Sequence, residues 1–78
     1  MSVRDRVASA FKEALDLDDN ADIGALRYQE YPAWNSIGHM TLVAALEAEF
    51  DTMLETDDIL AMSSFDKAVD IMGRYAGD

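Results

Sequence analysis

Trp34-Asn35-Ser36-Ile37-Gly38-His39-Met40-Thr41-Leu42-Val43-Ala44-Ala45-Leu46-Glu47-Ala48-Glu49-Phe50-Asp51 reads as one helix that opens at a serine. Pro32, just upstream, cannot continue a helix begun before it. Asn35 and Ser36 both suit an N-cap, because a side-chain oxygen there accepts from the first unpaired backbone N–H groups. No proline interrupts the run beyond them, and Leu, Ala, Met and Glu dominate, all strong helix formers.

At the helical turn per residue, His39, Leu42, Val43, Leu46 and Phe50 share one face, and that stripe is expected to enter a core. Ile37, Thr41, Ala44 and Ala48 point the opposite way, with Met40 on their flank. A small domain cannot cover both sides of such a helix, so the second, mildly apolar stripe should stay exposed. Two readings of it stand. Alanines and one isoleucine on a surface are ordinary; the same stripe beside a serine is also a usable docking face.

The chain has 78 residues, enough for a single domain with one modest core. Half of them are hydrophobic, too many for a disordered tail. Sixteen acids against six bases give a net charge of −10, a field that repels nucleic acid and anionic membranes and suits partners presenting Lys and Arg. With no cysteine there is no disulfide framework, thiolate metal site or thiol nucleophile. Met1-Ser2-Val3-Arg4-Asp5-Arg6 leads into an amphipathic pattern unlike a signal peptide, and no apolar run approaches a membrane span. A cytoplasmic monomer is the expectation.

Ser2 and Asp5 form a candidate capping box ahead of Val3, Val7, Ala10, Phe11 and Ala14, whose spacing predicts a first helix running to about Asp16. Arg4, Arg6, Lys12 and Glu13 fall at positions expected to be solvated. Residues 16–33 form a long connection. Its Asp16, Asp18, Asp19, Asn20 and Asp22 invite a calcium-loop reading, which fails in both registers. From Asp16, Ala21 falls where the turn glycine belongs and Arg27 where the bidentate glutamate belongs; from Asp18, Ile23 and Gln29 fall there. The segment is read as an acidic turn. Ile23, Leu26, Tyr28, Tyr31 and Trp34 make the remainder too apolar for a free linker, so it should lie pinned over the core with one short helical turn. Thr56-Asp57-Asp58 starts a third, short helix containing Ile59, Leu60 and Met62, its acids placed at the positive end of the dipole. Ser63 with Asp66 is the capping-box candidate for a fourth helix. Phe65, Ala68, Val69 and Met72 form its buried stripe, Ile71 and Tyr75 lie alongside, and Gly77 is placed to end it. The expected fold is all-α: a small bundle of three longer helices and one short one, with a long loop between the first two.

Ser36 is the candidate nucleophile, yet His39 shares a face with core residues rather than standing over the hydroxyl, and four short helices imply no oxyanion hole. No hydrolase is expected. A single imidazole among carboxylates has no metal-ligand spacing either. A serine at a helix start has two other uses. It caps, or it carries a phosphate where the first N–H groups and the dipole favour negative charge.

Asn35-Ser36-Ile37, followed by Leu42, Val43, Leu46, Glu47, Glu49 and Phe50, resembles the acyl carrier protein family, in which an Asp-Ser-Leu motif opens the second helix and the serine carries 4′-phosphopantetheine. Tyr31-Pro32-Ala33-Trp34-Asn35-Ser36-Ile37-Gly38-His39-Met40 is similar to the Trp-Asp-Ser-Leu-Gly-His-Met version of many free-standing carriers. Val7, Phe11 and Leu15 fit the family's first helix; Asp57-Asp58-Ile59, Met62, Ser64-Phe65 and Lys67-Ala68 fit the third and fourth. The resemblance implies a non-catalytic carrier. A phosphopantetheinyl transferase would attach the arm of coenzyme A to Ser36, and the cofactor's thiol would hold an acyl or aminoacyl thioester in fatty-acid, polyketide or nonribosomal peptide biosynthesis. Ile37, Met40, Thr41 and Ala44 would form the apolar centre of a docking face for loading and downstream enzymes with basic patches, and Glu47 and Asp51 its acidic rim. Asn35 replaces the family's aspartate and Ile37 its leucine. In the family the aspartate helps the transferase and its metal engage the serine, so slower modification is expected here. The alternative is a protein-interaction module of the same fold that is not phosphopantetheinylated.

Overall fold

Three of the four helices begin at a short polar residue whose side chain takes up a free backbone N–H. In the computed structural model, which describes residues 2–76, these helices are α1 (Val3–Ala14), α2 (Ser36–Phe50), α3 (Thr56–Ala61) and α4 (Phe65–Tyr75). Ser2 Oγ accepts from the Asp5 N–H at 3.1 Å, Asn35 Oδ1 from Gly38 at 2.9 Å, and Ser64 Oγ from Lys67 at 3.2 Å. The cap of α4 is therefore Ser64 and not Ser63. Both serines precede the same apolar stripe, and only the extended backbone of Ser64 aims its hydroxyl into the first turn. The short α3 has no side-chain cap, and Asp57 and Asp58 lie in its first turn.

The C-termini of α1 and α2 are alike. Asp16 and Asp51 adopt the left-handed conformation, with φ of 54° and 51°. Leu17 N–H reaches back to Lys12 O at 2.9 Å, and Thr52 N–H to Glu47 O at 3.1 Å. These are the long-range closing bonds of helix ends where glycine is the usual occupant. The first helix thus stops at Ala14, two residues short of the boundary expected from periodicity. Gly77, expected to end α4, lies outside the described residues; α4 closes at Tyr75, and Ala76 N–H bonds to Met72 O at 2.8 Å.

Phe11 is the centre of the core. Its ring meets Trp34 edge-on at 5.1 Å and Phe65 at 5.3 Å, joining α1, the long connection and α4. Around it, Val7, Ala10 and Leu15 pack with Leu42, Val43 and Leu46 of α2 and with Ala68, Ile71 and Met72 of α4. Such fully buried Leu and Phe side chains are worth about 1.5–3 kcal/mol each relative to exposure. Phe50 and Val69 sit at the edge of this core, half-buried, while Ile71 is buried: the fourth helix is rotated slightly from the expected stripe.

The connection between α1 and α2 is pinned as its aromatic content requires. It contains a single 3-10 turn, Ile23–Ala25. Tyr28 N–H bonds to Ser63 O at 3.0 Å and Arg27 pairs with Ser64 in an isolated antiparallel bridge, tying the loop to the α3–α4 link. Gln29 adopts a left-handed conformation and its N–H bonds to Trp34 O at 2.8 Å, closing a small ring of chain that drives Trp34 inward.

One further expectation is corrected. Arg6 is half-buried rather than solvated. Its guanidinium donates to Glu49 O at 2.7 Å and to the Glu49 carboxylate at 3.2 Å, and lies 4.1 Å from the centre of the Phe50 ring. It clamps α1 to the last turn of α2, using the stem and the planar head together. In the short third helix Leu60 is 76% exposed, since a helix of six residues offers the core only one narrow edge.

Candidate functional site

The start of α2 is shaped by a close approach. A Cβ built on Gly38 would lie 2.0 Å from Ala33 O, so only glycine lets the Ala33 carbonyl pack on the first turn of the helix. That contact holds the chain just ahead of the helix, and Asn35 takes the cap.

The next residue, Ser36, is therefore the first helical residue and not the cap. Its hydroxyl is exposed and free of the capping bond that would otherwise explain it. The only side-chain partner given to Oγ among the described residues is the Tyr28 hydroxyl at 3.3 Å. Tyr28 in turn accepts from Gln29 Nε2 at 3.2 Å. The N–H groups of Ser36 and Ile37 belong to the unpaired first turn and face a negative group favourably. An anion attached at Oγ fits this setting, because the serine is accessible, anchored on a rigid element and unoccupied by capping.

His39 is explained by packing. Its Nδ1 accepts from the buried Trp34 Nε1–H at 2.9 Å, and its Nε2 lies 2.8 Å from Ile59 O. That pair of contacts requires the neutral tautomer with hydrogen on Nε2, which donates to the carbonyl. The imidazole thus joins the long loop, α2 and α3, and has no geometry toward Ser36.

The second stripe of α2 is on the surface. Ile37 is 80% and Met40 56% exposed, and Thr41, Ala44 and Ala48 are exposed as well. The Thr41 hydroxyl donates to Ile37 O at 3.1 Å, which leaves its methyl to the surface. Asp51 is exposed at the far end of the helix. Glu47 is half-buried, and its carboxylate accepts the Leu54 N–H at 2.9 Å, so it also holds the α2–α3 loop. Two further apolar side chains are exposed outside that stripe: Met53, 83% exposed, and Leu60. Leu60 follows Ile59 and Met40 follows His39, the two residues joined by the hydrogen bond between α3 and α2. The signal for Leu60 was available in the shortness of α3; none existed for Met53. The contact of Tyr28 with Ser36 also escaped the sequence reading.

The chain matches no family model, no curated protein and no solved structure. Among the described residues, no helix is long and apolar enough to cross a membrane.

Proposed function

We propose that this protein is an acyl carrier that is modified by a phosphopantetheinyl transferase at Ser36 and catalyses nothing itself. The observation that supports the reading best is the position of Ser36. Asn35 performs the capping, so the serine hydroxyl is left exposed at the first turn of a rigid helix, beside an apolar stripe that the fold does not use. The role of the chain's own residues follows from that arrangement. Ser36 Oγ is the attachment atom, and the open N–H groups of the first turn favour the negative charge of a phosphodiester there. When bound, 4′-phosphopantetheine supplies a thiol, which the sequence lacks, for an acyl or aminoacyl thioester.

Ile37, Met40, Thr41 and Ala44 offer partner enzymes a shallow apolar contact, and Asp51 and the outer edge of Glu47 a negative rim. In a chain of net charge −10 such a rim steers basic partners and suits brief encounters, which a shuttled substrate requires. Asn35 keeps the cap at 2.9 Å while lacking the carboxylate charge of the family motif, so modification slower than that of an aspartate-bearing carrier is expected. Fatty-acid, polyketide and nonribosomal peptide synthesis all use this chemistry, and the reading extends to the class. Incubation with coenzyme A and a broad-specificity phosphopantetheinyl transferase tests it. The native chain should take up one equivalent and Ser36→Ala none; no uptake by the native chain under several transferases would point to an interaction module of the same fold without the arm.

A further inference from the structure

Tyr28 lies outside the motif, eight positions before Ser36 in an irregular loop, yet its hydroxyl is 3.3 Å from Ser36 Oγ. Its placement is built. The backbone of Tyr28 is bonded to Ser63 O at 3.0 Å, and its ring lies 4.8 Å from the His39 ring and 6.2 Å from that of Trp34. Gln29, held in the left-handed conformation, turns its side-chain amide onto the phenol oxygen at 3.2 Å. A phenol has a single hydrogen to give. Either hydroxyl can donate across the contact with Ser36; donation from the phenol is the direction in which it and the Gln29 bond are polarised in the same sense, the arrangement in which hydrogen bonds strengthen one another.

We propose that Tyr28 is a positioning residue for the modification of Ser36, holding Oγ in one rotamer, and that Gln29 acts through it. This rests on the reading of Ser36 as the attachment site. In the transfer, a base of the transferase takes the serine hydroxyl proton and a bond forms between Oγ and phosphorus. The phosphoanhydride bond of coenzyme A breaks, and its electron pair leaves with adenosine 3′,5′-bisphosphate. Donation from Tyr28 leaves the Ser36 hydrogen free for that base and removes the freedom of an otherwise exposed rotor. As the base draws off the serine proton, negative charge develops on Oγ, within reach of the phenol hydrogen. A donor bond to charge is worth more than one to a neutral hydroxyl, so the contact strengthens as the reaction proceeds and its loss falls on kcat.

The test uses the full chain, coenzyme A and a broad-specificity phosphopantetheinyl transferase, with the carrier concentration varied and thermal melting measured alongside. Tyr28→Phe keeps the packed ring and removes the hydroxyl; Gln29→Met keeps the length of the side chain and removes its donor. Tyr28→Phe should melt close to the native protein and lower kcat about fivefold at unchanged KM, the size expected for one net hydrogen bond. Gln29→Met should lower kcat by a smaller factor, about twofold, and the double variant should do no worse than Tyr28→Phe, because both act through one contact. Unchanged kcat in Tyr28→Phe, or a change confined to KM, overturns the role of Tyr28 while leaving Ser36 as the attachment site. Losses that simply add in the double variant overturn the relay from Gln29, and a kcat that falls only in step with the folded fraction overturns positioning. A native chain that is never modified overturns both the inference and the reading beneath it.

Discussion

Gly38 and Gly73 both lie inside helices, and replacing each with alanine should move stability in opposite directions. In a helix interior alanine is favoured over glycine by about 1 kcal/mol. At Gly73, on α4, an added Cβ would meet nothing within 4 Å, so Gly73→Ala should stabilise the protein by about 0.5–1 kcal/mol. At Gly38 the same gain is opposed by a Cβ placed 2.0 Å from Ala33 O and 3.1 Å from Ala33 C. These are backbone atoms, and the chain there has little room to retreat. Trp34 follows immediately, its indole fully buried and its backbone N–H bonded to Tyr31 O at 2.9 Å. Overpacking costs about 1–3 kcal/mol in ordinary cases, and a backbone collision this close belongs at or beyond the upper end. Subtracting the helical gain leaves a net loss of about 2 kcal/mol for Gly38→Ala. For a domain of this size that corresponds to a melting temperature lower by about 10 °C, against a rise of about 5 °C for Gly73→Ala. Trp34 is the only tryptophan, so its fluorescence reports the melt and the displacement of the loop together. If Gly38→Ala melts at or above the native temperature, the close approach of Ala33 to α2, and with it the argument for how Ser36 is placed, is wrong.

Removing the imidazole in His39→Phe leaves the buried Trp34 Nε1–H without a partner and should cost about 2 kcal/mol in urea denaturation; no loss would show that the Trp34–His39 bond is not made in solution. Leu46→Ala, which empties a fully buried position, should cost about 2–5 kcal/mol. Ile37→Ala should change stability by about 0.5 kcal/mol or less while weakening transfer to partner enzymes. Equal melting of those two variants would mean that α2 is rotated from the orientation described. At Tyr75, the hydrogen bond to the Asp58 carboxylate raises the phenol above its ordinary value of 10.0, partly offset by the Glu55 N–H that it accepts. A raised value means that the folded state holds this proton longer. The contribution to stability is therefore full below pH 10 and lost as pH climbs through the raised value. In an ultraviolet titration of the folded protein, the last tyrosine to ionise should vanish in Tyr75→Phe; an unchanged final phase would contradict the contact.

What could be read from the residues was what local chemistry decides. The burial of Leu42, Val43 and Leu46, the exposure of Ile37, Thr41 and Ala44, and the cap at Ser2 all depend on neighbours within a turn or two. Where two equivalent residues adjoin, as at Ser63 and Ser64, or at Asn35 and Ser36, composition does not choose between them. Backbone conformation does. Arg6 looked solvated because periodicity places a residue around its own helix and says nothing of the Glu49 carbonyl and Phe50 ring that another helix brings to it. The pairing of Tyr28 with Ser36 and the double role of His39 depend in the same way on an irregular loop folding back across α2, a path with no period to reveal it.

Whether Ser36 carries the arm is decided most directly by intact-mass spectrometry with fragment localisation, after incubation of the native chain with coenzyme A and several phosphopantetheinyl transferases. The account predicts an added mass of one phosphopantetheine, found on the fragment that contains Ser36 and absent from Ser36→Ala. An unchanged mass with every transferase, or an addition mapped to Ser63 or Ser64, would contradict it.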